Sequence, residues 1–192
     1  MRTVNYSMGA SLDGFIVGPD GEIAAPAPDD ELWHFFLDEI RGVGVHLMGR
    51  RLYETMLYWE TADQDPTLDA NEREWTALWK PLPKVVFSRT LSAVEGNARL
   101  ASSGLADEIE RLHAEPGEGD IAIGGARLAA EAAALDLIDE YRLRVYPVLV
   151  GGGTPYFAQQ GRRLDLELAE SRTFGSEVVY LRYRVKHEMG PR

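Results

Sequence analysis

Residues 120–131 read Asp-Ile-Ala-Ile-Gly-Gly-Ala-Arg-Leu-Ala-Ala-Glu, so a short apolar strand stops at two glycines and an alanine-rich helix begins. Two glycines permit a sharp turn and leave no Cβ in the path of a ligand. The free N–H groups and the positive dipole end of the following helix point at the gap, as in strand–helix junctions that hold phosphate groups. The same dipeptide also suits a tight turn without a ligand, and the stretch alone leaves both interpretations open.

Composition limits the class of protein. The length of 192 residues suits a single domain over 1–192 with a sizeable core. A net charge of -11 argues against a nucleic-acid-binding protein, although a few local arginines suffice for a small anionic ligand. The chain has no cysteine, which excludes disulfides and cysteine-ligated zinc, and we expect no metal site. We expect a cytoplasmic protein without a membrane partner, because we find no signal-peptide pattern and no apolar run of spanning length.

Strand and helix signals alternate along the chain. The first half contains a strand at 3–8, a long loop at 9–28, a helix capped by Asp29 or Asp30, a strand at 43–48, a helix through Leu57, a polar loop at 60–70, a helix at 71–80 and a strand at 84–88. The second half contains a helix at 102–114 capped by Ser102 or Ser103, a strand at 121–123, the helix after the glycine pair, a strand at 141–150, a loop at 151–155, and strands at 164–174 and 178–186. This order predicts an α/β fold with a mixed, mostly parallel sheet and a C-terminal antiparallel hairpin.

Two further strand ends carry cationic and hydroxyl groups. Gly49-Arg50-Arg51 opens a helix directly after a strand, and Ser88-Arg89-Thr90 follows the next strand. Arginine can hold a phosphate through two parallel hydrogen bonds. Two alternatives stay open, because Arg51 can pair with Glu54 three residues later and the Ser-Arg-Thr tripeptide can be an exposed polar turn.

The three motifs are expected to meet, because parallel strands present their carboxyl ends at one edge of a sheet. Two positive helix starts and one Ser-Arg-Thr segment suffice for a pyrophosphate and a further phosphate, which are the anionic groups of NADPH. The chain has no GxGxxG turn after its first strand, as an ordinary Rossmann site would, and no P-loop. The sequence therefore predicts a dinucleotide site of another kind.

Taken in order, five motifs resemble those of the dihydrofolate-reductase-like superfamily. They are Ser11-Leu12-Asp13-Gly14-Phe15-Ile16, residues 48–54, residues 86–90, Ile123-Gly124-Gly125 and residues 146–157. The closer likeness is to the branch that contains the riboflavin-biosynthesis pyrimidine reductase domain and its stand-alone homologues. The resemblance covers nearly the whole chain. It implies a three-layer fold with a mixed central sheet of about eight strands between helices, and NADPH across the carboxyl ends of the strands.

The resemblance also implies which residues hold the phosphates of NADPH. Those at the pyrophosphate would be Gly124, Gly125, Ala126 and Arg127. Those on the opposite side would be Gly49, Arg50 and Arg51. Those around the adenosine 2′-phosphate would be Ser88, Arg89 and Thr90.

The remaining implied roles concern the nicotinamide and the substrate. Ala10 and Ile16 would flank the nicotinamide. Asp13, at the mouth of the active-site loop, is the candidate catalytic residue, with a plain Asp-Gly turn as its alternative. The residues expected to line the substrate pocket are Leu32, Trp33, Phe36 and Met56, although Trp33 and Phe36 can equally be core residues on one helix face.

One feature of true dihydrofolate reductases has no secure match. Those enzymes place an acid on the first long helix, below the pterin ring. In this chain the matching residue is Glu31 or one of its apolar neighbours, and folate reduction is not expected if Trp33 fills the position. The zinc deaminase that usually shares a chain with the pyrimidine reductase needs cysteines, so we do not expect it here.

These features predict an NADPH-dependent reductase that transfers hydride to a C=N or C=O carbon of a small pyrimidine- or pterin-like substrate. The proton would come from Asp13, Glu31 or a bound water. The alternative is a non-catalytic nucleotide-binding protein that has kept the fold. We also expect a homodimer, because residues 178–185 form a long β-prone strand taken to lie at the sheet edge, and the reductases that this chain resembles associate through that end. The alternative is that this strand lies inside its own sheet and the chain is a monomer.

Overall fold

The computed structural model describes residues 1–25, 27–158, 161 and 163–186. Its strands are β1 (Val4–Ser11), β2 (Phe15–Val17), β3 (Val43–Gly49), β4 (Lys84–Phe87), β5 (Ala98–Leu100), β6 (Asp120–Gly124), β7 (Glu140–Tyr146), β8 (Thr154–Pro155), β9 (Leu166–Thr173) and β10 (Val179–Val185). Its helices are α1 (Asp30–Arg41), α2 (Arg50–Met56), α3 (Tyr58–Thr61), α4 (Ala70–Trp79), α5 (Leu105–Ala114) and α6 (Ala126–Ala134), with a short 3-10 turn at Ala62–Gln64. None of the helices in the described ranges is long and apolar enough to cross a membrane.

Eight strands form one mixed sheet in the order β5-β4-β3-β6-β1-β7-β10-β9. The six strands from β5 to β7 are parallel, whereas β10 runs antiparallel to both β7 and β9. This arrangement confirms the predicted fold class. The carboxyl ends of the six parallel strands share one edge of the sheet, which is where α/β proteins of this kind bind ligands.

The two faces of the sheet differ because successive residues of a strand point to opposite sides. On the face covered by α5 and α6, Val4 and Tyr6 of β1 pack with Ile121 and Ile123 of β6, and all four are at most 1% exposed. The face under α1 is partly polar. There Arg144 of β7 donates to Ser7 of β1 at 2.8 Å and to Glu39 of α1 at 2.6 Å, and these bonds join α1 to the sheet.

Helix starts follow the expected capping chemistry in some places and not in others. Asp29 caps α1 by accepting the N–H of Leu32 at 2.8 Å, as predicted. The prediction that Ser102 or Ser103 caps the next-to-last helix is wrong, because Gly104 occupies the cap of α5 without a side-chain bond. Ser102 instead donates its N–H and its hydroxyl to the buried carboxylate of Glu108. Because both donor groups of Ser102 bond to Glu108, Ser102 does not act as the cap of α5.

Several short elements lie where the sequence predicts loops. β2 falls within 9–28, the end of α3 and the 3-10 turn fall within 60–70, and β8 falls within 151–155. β5 was not predicted, and β7 ends at Tyr146, before the predicted end at 150. The short strands have too few residues to show alternation, and they form because a neighbour is present. β2 and β8 pair with each other, and β5 pairs with β4.

The prediction that residues 178–185 form an edge strand is wrong. β10 lies between β7 and β9, and its antiparallel partners satisfy it on both sides. The outermost strand at this end of the sheet is β9, where Leu168 is 51% exposed. The alternation of the two terminal strands indicates that they pair, but it does not indicate which of them is outermost.

Candidate cofactor and substrate site

Three of the sequence motifs meet at the carboxyl-terminal edge of the sheet. β3 lies between β4 and β6, with Gly49 opposite Phe87 and Met48 opposite Gly124. The segments that follow these strand ends are α2, residues 88–90 and the start of α6. Groups that are far apart in sequence therefore surround one edge.

The glycine pair forms the turn between β6 and α6. Gly125 precedes the first turn of α6 with φ at +92°, a conformation that side chains disfavour, and no side chain caps the helix there. A Cβ on Gly124 would collide with Leu52 of α2 and with the ring of His46. A Cβ on Gly49 would have nothing within 4 Å. The first N–H groups of α6, among them those of Ala126 and Arg127, therefore face a space that no capping side chain fills.

Arg50 joins α2 to the segment after β4. Its Nη1 donates to the Thr90 hydroxyl at 2.9 Å and its Nε donates to Glu54 at 2.6 Å. The Ser88 hydroxyl accepts the N–H of Thr90 at 3.2 Å and so fixes the turn. The alternative in which Glu54 pairs with Arg51 is wrong, because the carboxylate reaches the arginine one full turn before it.

Three more arginines stand at this edge, namely Arg51, Arg89 and Arg127. All three are exposed, and none of them forms an ion pair with any residue that the structure describes. This is notable in a chain with 31 acidic and 20 basic residues, where an acidic partner is usually close. The edge therefore carries uncompensated positive charge, which attracts anions.

Further contacts fix the segment between β4 and β5, and no local sequence pattern indicates them. The Tyr53 hydroxyl of α2 accepts the N–H of Glu95 at 2.6 Å. Lys84, whose side chain is only 1% exposed, pairs with Glu60 of α3 at 2.9 Å. The segment after β4 is thus held to α2 at Glu95, and the start of β4 is held to α3 at Lys84.

Asp13 links two loops beside the same edge. Its carboxylate accepts the N–H of Gly151 at 2.7 Å and of Val150 at 3.2 Å. The neighbouring Ser11 hydroxyl and these two N–H groups lower the pKa of Asp13 below its ordinary value. Asp13 is therefore ionised at neutral pH and holds the glycine-rich loop to the turn after β1.

The two residues implied to flank the nicotinamide lie deeper than expected. Ala10 in β1 and Ile16 in β2 are 1% and 6% exposed, and both belong to the main core. Their side chains pack inward, so the backbone of β1 and β2 is the part of these residues that can face a ligand.

Two of the predicted substrate residues, Trp33 and Phe36, belong to an aromatic cluster formed by α1, α3 and α4. The Trp33 ring lies 6.1 Å from Phe36, 6.3 Å from Trp59 and 6.2 Å from Trp75, in edge-to-face geometry. Trp59 and Trp75 were not predicted as site residues, because their proximity to Trp33 depends on how α3 and α4 pack. Trp33 and Phe36 keep part of their surface exposed.

The other two predicted substrate residues are less accessible. Leu32 is 1% exposed and packs against Tyr146, Phe174 and Tyr180. Met56 at the end of α2 is partly buried against the cluster that contains Met48. Of the four residues, Trp33 and Phe36 are thus the better placed to contact a substrate from α1.

Both acidic residues of α1 that lie near this region are engaged elsewhere. Glu31 accepts the N–H of Gly175 and a guanidinium N–H of Arg172, each at 2.9 Å, and these bonds lower the pKa of Glu31. Glu39 is held by Arg144, whose guanidinium lies 5.2 Å from the centre of the Phe36 ring. Neither carboxylate is directed at the aromatic cluster.

His46 lies beneath the glycine turn. Its ring is next to Gly124 and 5.7 Å from the Trp79 ring, and its Nδ1 is buried without a hydrogen-bond partner among the described residues. Burial lowers the pKa of His46 to about 4, so the imidazole is neutral under ordinary conditions. A neutral ring adds no charge below the turn.

The sheet order, the antiparallel C-terminal pair and the position of the glycine turn define a dihydrofolate-reductase-like fold, as the sequence motifs imply. The chain belongs to the RibD C-terminal domain family, whose model matches residues 2–180. It is 31% identical to protein YyaP of Bacillus subtilis over 182 residues, which is 95% of this chain and 94% of YyaP. It is 27% identical to YwjB of the same organism over 95% of this chain and 97% of that protein.

Solved structures share the fold at lower identity. A Shewanella protein linked to riboflavin biosynthesis has a TM-score of 0.74 at 24% identity, covering 97% of this chain and all of that one. The Thermotoga maritima diaminohydroxyphosphoribosylaminopyrimidine deaminase/5-amino-6-(5-phosphoribosylamino)uracil reductase has a TM-score of 0.65 at 15% identity, covering 96% of this chain and 57% of that one. Family and fold together support a reductase-type function.

Proposed function

We propose that this protein is an NADPH-dependent reductase that transfers hydride to a C=N or C=O carbon of a small pyrimidine- or pterin-like substrate. The observation that carries the proposal is a set of arginines around the glycine turn of a strongly acidic protein, Arg51, Arg89 and Arg127, which form no ion pair with any residue in the described ranges. Positive charge that no neighbouring carboxylate neutralises attracts an anionic ligand.

The residues present fit a phosphorylated dinucleotide. Gly124 and Gly125 with the uncapped start of α6 suit a pyrophosphate, since a side chain at either position would strain or fill the turn. Arg50, already bonded to Thr90, would contact phosphate from the facing side together with Arg51 and the open backbone at Gly49. Ser88, Arg89 and Thr90 would hold the 2′-phosphate, the group that separates NADPH from NADH.

The bound nicotinamide supplies the hydride, and the protein positions the reactants and excludes water. The backbone of β1 and β2 at Ala10 and Ile16 would support the nicotinamide ring. Trp33 and Phe36 would contact the substrate, with Leu32 and Met56 behind them. A planar heterocycle fits the aromatic surface, because ring faces and edges pack well against such substrates.

The source of the proton follows from the carboxylates. The pKa values of Asp13 and Glu31 are both lowered, so both groups are ionised at neutral pH and hold no proton to donate. Of the three candidate donors, Asp13, Glu31 and a bound water, the proton would therefore come from the water. Asp13 acts in this proposal by holding the loop at Val150 and Gly151 across the site.

Cofactor titration tests the proposal. Wild type should bind NADPH more tightly than NADH, and Arg89→Ala should weaken NADPH binding by about 1.5–3 kcal/mol while leaving NADH unchanged. Arg73→Ala is the matched control, because Arg73 is also an exposed arginine but bonds the Pro66 carbonyl away from this edge. Equal affinity of wild type for the two cofactors would contradict the assignment of the 2′-phosphate site.

Turnover distinguishes the reductase from the alternative. NADPH oxidation is measured against pterins, pyrimidinones and quinonoid compounds. Cofactor binding with no oxidation of NADPH by any of them would favour the non-catalytic nucleotide-binding protein.

A homodimer is part of the proposal, now with β9 as the edge strand that needs cover. Light scattering at micromolar concentration should give twice the mass of the 21.4 kDa chain. A mass near that of a single chain would refute the dimer.

A further inference from the structure

Arg50 differs from the other arginines at the cofactor edge in already holding a carboxylate. Arg51, Arg89 and Arg127 have no ion-pair partner in the described ranges, whereas Arg50 pairs with Glu54. The pair is four residues apart on one face of α2, and the two side chains are 50% and 42% exposed. An acidic side chain therefore lies beside the group that the proposed function assigns to phosphate.

The geometry leaves Arg50 able to take a further anion. Its bonds to Glu54 and Thr90 use one N–H on Nε and one on Nη1. A guanidinium has five N–H groups in all, so others are left for a phosphate oxygen. A phosphate that Arg50 and Thr90 hold together would then share this guanidinium with the carboxylate of Glu54.

We propose that Glu54 is a specificity-determining residue, which weakens the binding of a nucleotide phosphomonoester at Arg50 and Thr90 by charge repulsion. The inference rests on the proposed function and deepens it. Glu54 sets how strongly the protein discriminates between nucleotides with and without the extra phosphate.

Glu54 has two opposing effects, and their sizes decide the sign. By fixing Arg50 it reduces the ordering that a ligand must impose, but an exposed helical ion pair is a weak constraint. By its charge it repels a phosphomonoester, which carries between one and two negative charges at neutral pH. The second effect is larger, and solvent screening at this exposed position limits it to a few-fold change in affinity.

The experiment compares Glu54→Gln with Glu115→Gln. The control is matched in spacing and exposure, because Arg111 and Glu115 at the end of α5 also form an ion pair four residues apart, with side chains 42% and 49% exposed; Arg111 also pairs with Glu108. Both variants remove one negative charge, so a general charge effect would appear in both. Dissociation constants for NADPH and for NADH are measured by fluorescence titration at low salt and again at high salt.

We expect Glu54→Gln to tighten NADPH binding about two- to fivefold at low salt and to tighten NADH binding by a smaller factor, because NADH has the pyrophosphate but lacks the phosphomonoester. The gain should shrink at high salt, and Glu115→Gln should alter neither constant. Weaker NADPH binding in Glu54→Gln, an equal change for both cofactors or no change would overturn the inference. Failure of the proposed function is distinguishable in wild type itself, which would then bind neither cofactor or bind the two with equal affinity.

Discussion

The proposed cofactor half and the proposed substrate half of the site are built in different ways. The cofactor half consists of glycines at strand ends and arginines at the first positions of helices or turns, as at 49–51 and 124–127. The substrate half consists of aromatic rings contributed by α1, α3 and α4, which meet through packing. The first kind of site depends on backbone geometry that one short segment determines, and the second depends on the placement of several segments.

This difference separates two kinds of specificity. Backbone N–H groups and guanidinium ions recognise phosphate, whatever molecule carries it. An aromatic surface recognises shape and flatness, and it tolerates repacking. The cofactor half should therefore respond sharply to single substitutions, and the substrate half should respond gradually.

Gly125→Val should cause the largest loss. A valine at φ of +92° is strained, and it displaces the backbone N–H groups offered to pyrophosphate. Loss of two charge-assisted hydrogen bonds corresponds to roughly 100-fold weaker NADPH binding or more. The measurement is a fluorescence titration with NADPH, alongside circular dichroism to confirm that the fold persists.

Gly21→Val is the control for this substitution. Gly21 has φ of +88° and open space at its Cβ position, so the variant carries similar backbone strain away from the turn. It should keep normal NADPH affinity. If Gly125→Val also binds NADPH normally, the phosphate site lies elsewhere.

Dihydrofolate should be a poor substrate, because Glu31 and Glu39 of α1 are both engaged by other groups. Glu31 is held by Arg172 and Gly175, and Glu39 is held by Arg144. With NADPH near neutral pH, turnover should fall below about 1 per second, the lower end of ordinary enzyme rates. Turnover within the ordinary range would show that Glu31 is directed at the substrate after all.

The neutral imidazole below the cofactor half should make stability depend on pH. The folded pKa of His46 is about 4, against 6.5 for an unperturbed histidine, so the unfolded chain binds more protons between these values. The contribution of His46 to the free energy of unfolding is therefore fully present above pH 6.5. It is lost as the pH is lowered towards 4, by about 3 kcal/mol. Denaturant unfolding across this range measures the slope.

His46→Gln should flatten that slope between pH 6.5 and 5. His34→Gln serves as the control, because His34 is exposed and faces the carbonyl of Asp30. The control should keep the wild-type slope. An unchanged slope in His46→Gln would mean that other groups cause the acid sensitivity.

Much of the fold was predictable from the sequence, because long periodic segments carry local signals. β1, α1, β3, β6 and α6 lie close to their predicted positions, and the glycine turn lies between the last two. β2, β5 and β8 were not predictable, since two or three residues show no period and their pairing partners are distant in sequence.

The candidate site, like the fold, was predictable only in part. That the three motifs proposed to bind phosphate converge could be predicted, because parallel strands present their carboxyl ends at one edge. The partner of Glu54 and the contacts of Trp33 could not be predicted, because a side chain's partner depends on rotamers and on packing between helices. The direction of Glu31 depends on the β9–β10 turn, which lies more than 140 residues away in sequence.

The aromatic cluster also simplifies the intrinsic fluorescence of the protein. Its four tryptophans form one connected group, since Trp33, Trp59 and Trp75 touch one another and Trp79 stacks on Trp75 at 6.2 Å. Intrinsic tryptophan emission therefore comes from a single region, and none of it originates elsewhere in the chain. A change in that emission on adding a heterocycle reports on this aromatic cluster, which extends from Trp33 to Trp79 beside His46, without a label and without any need for turnover.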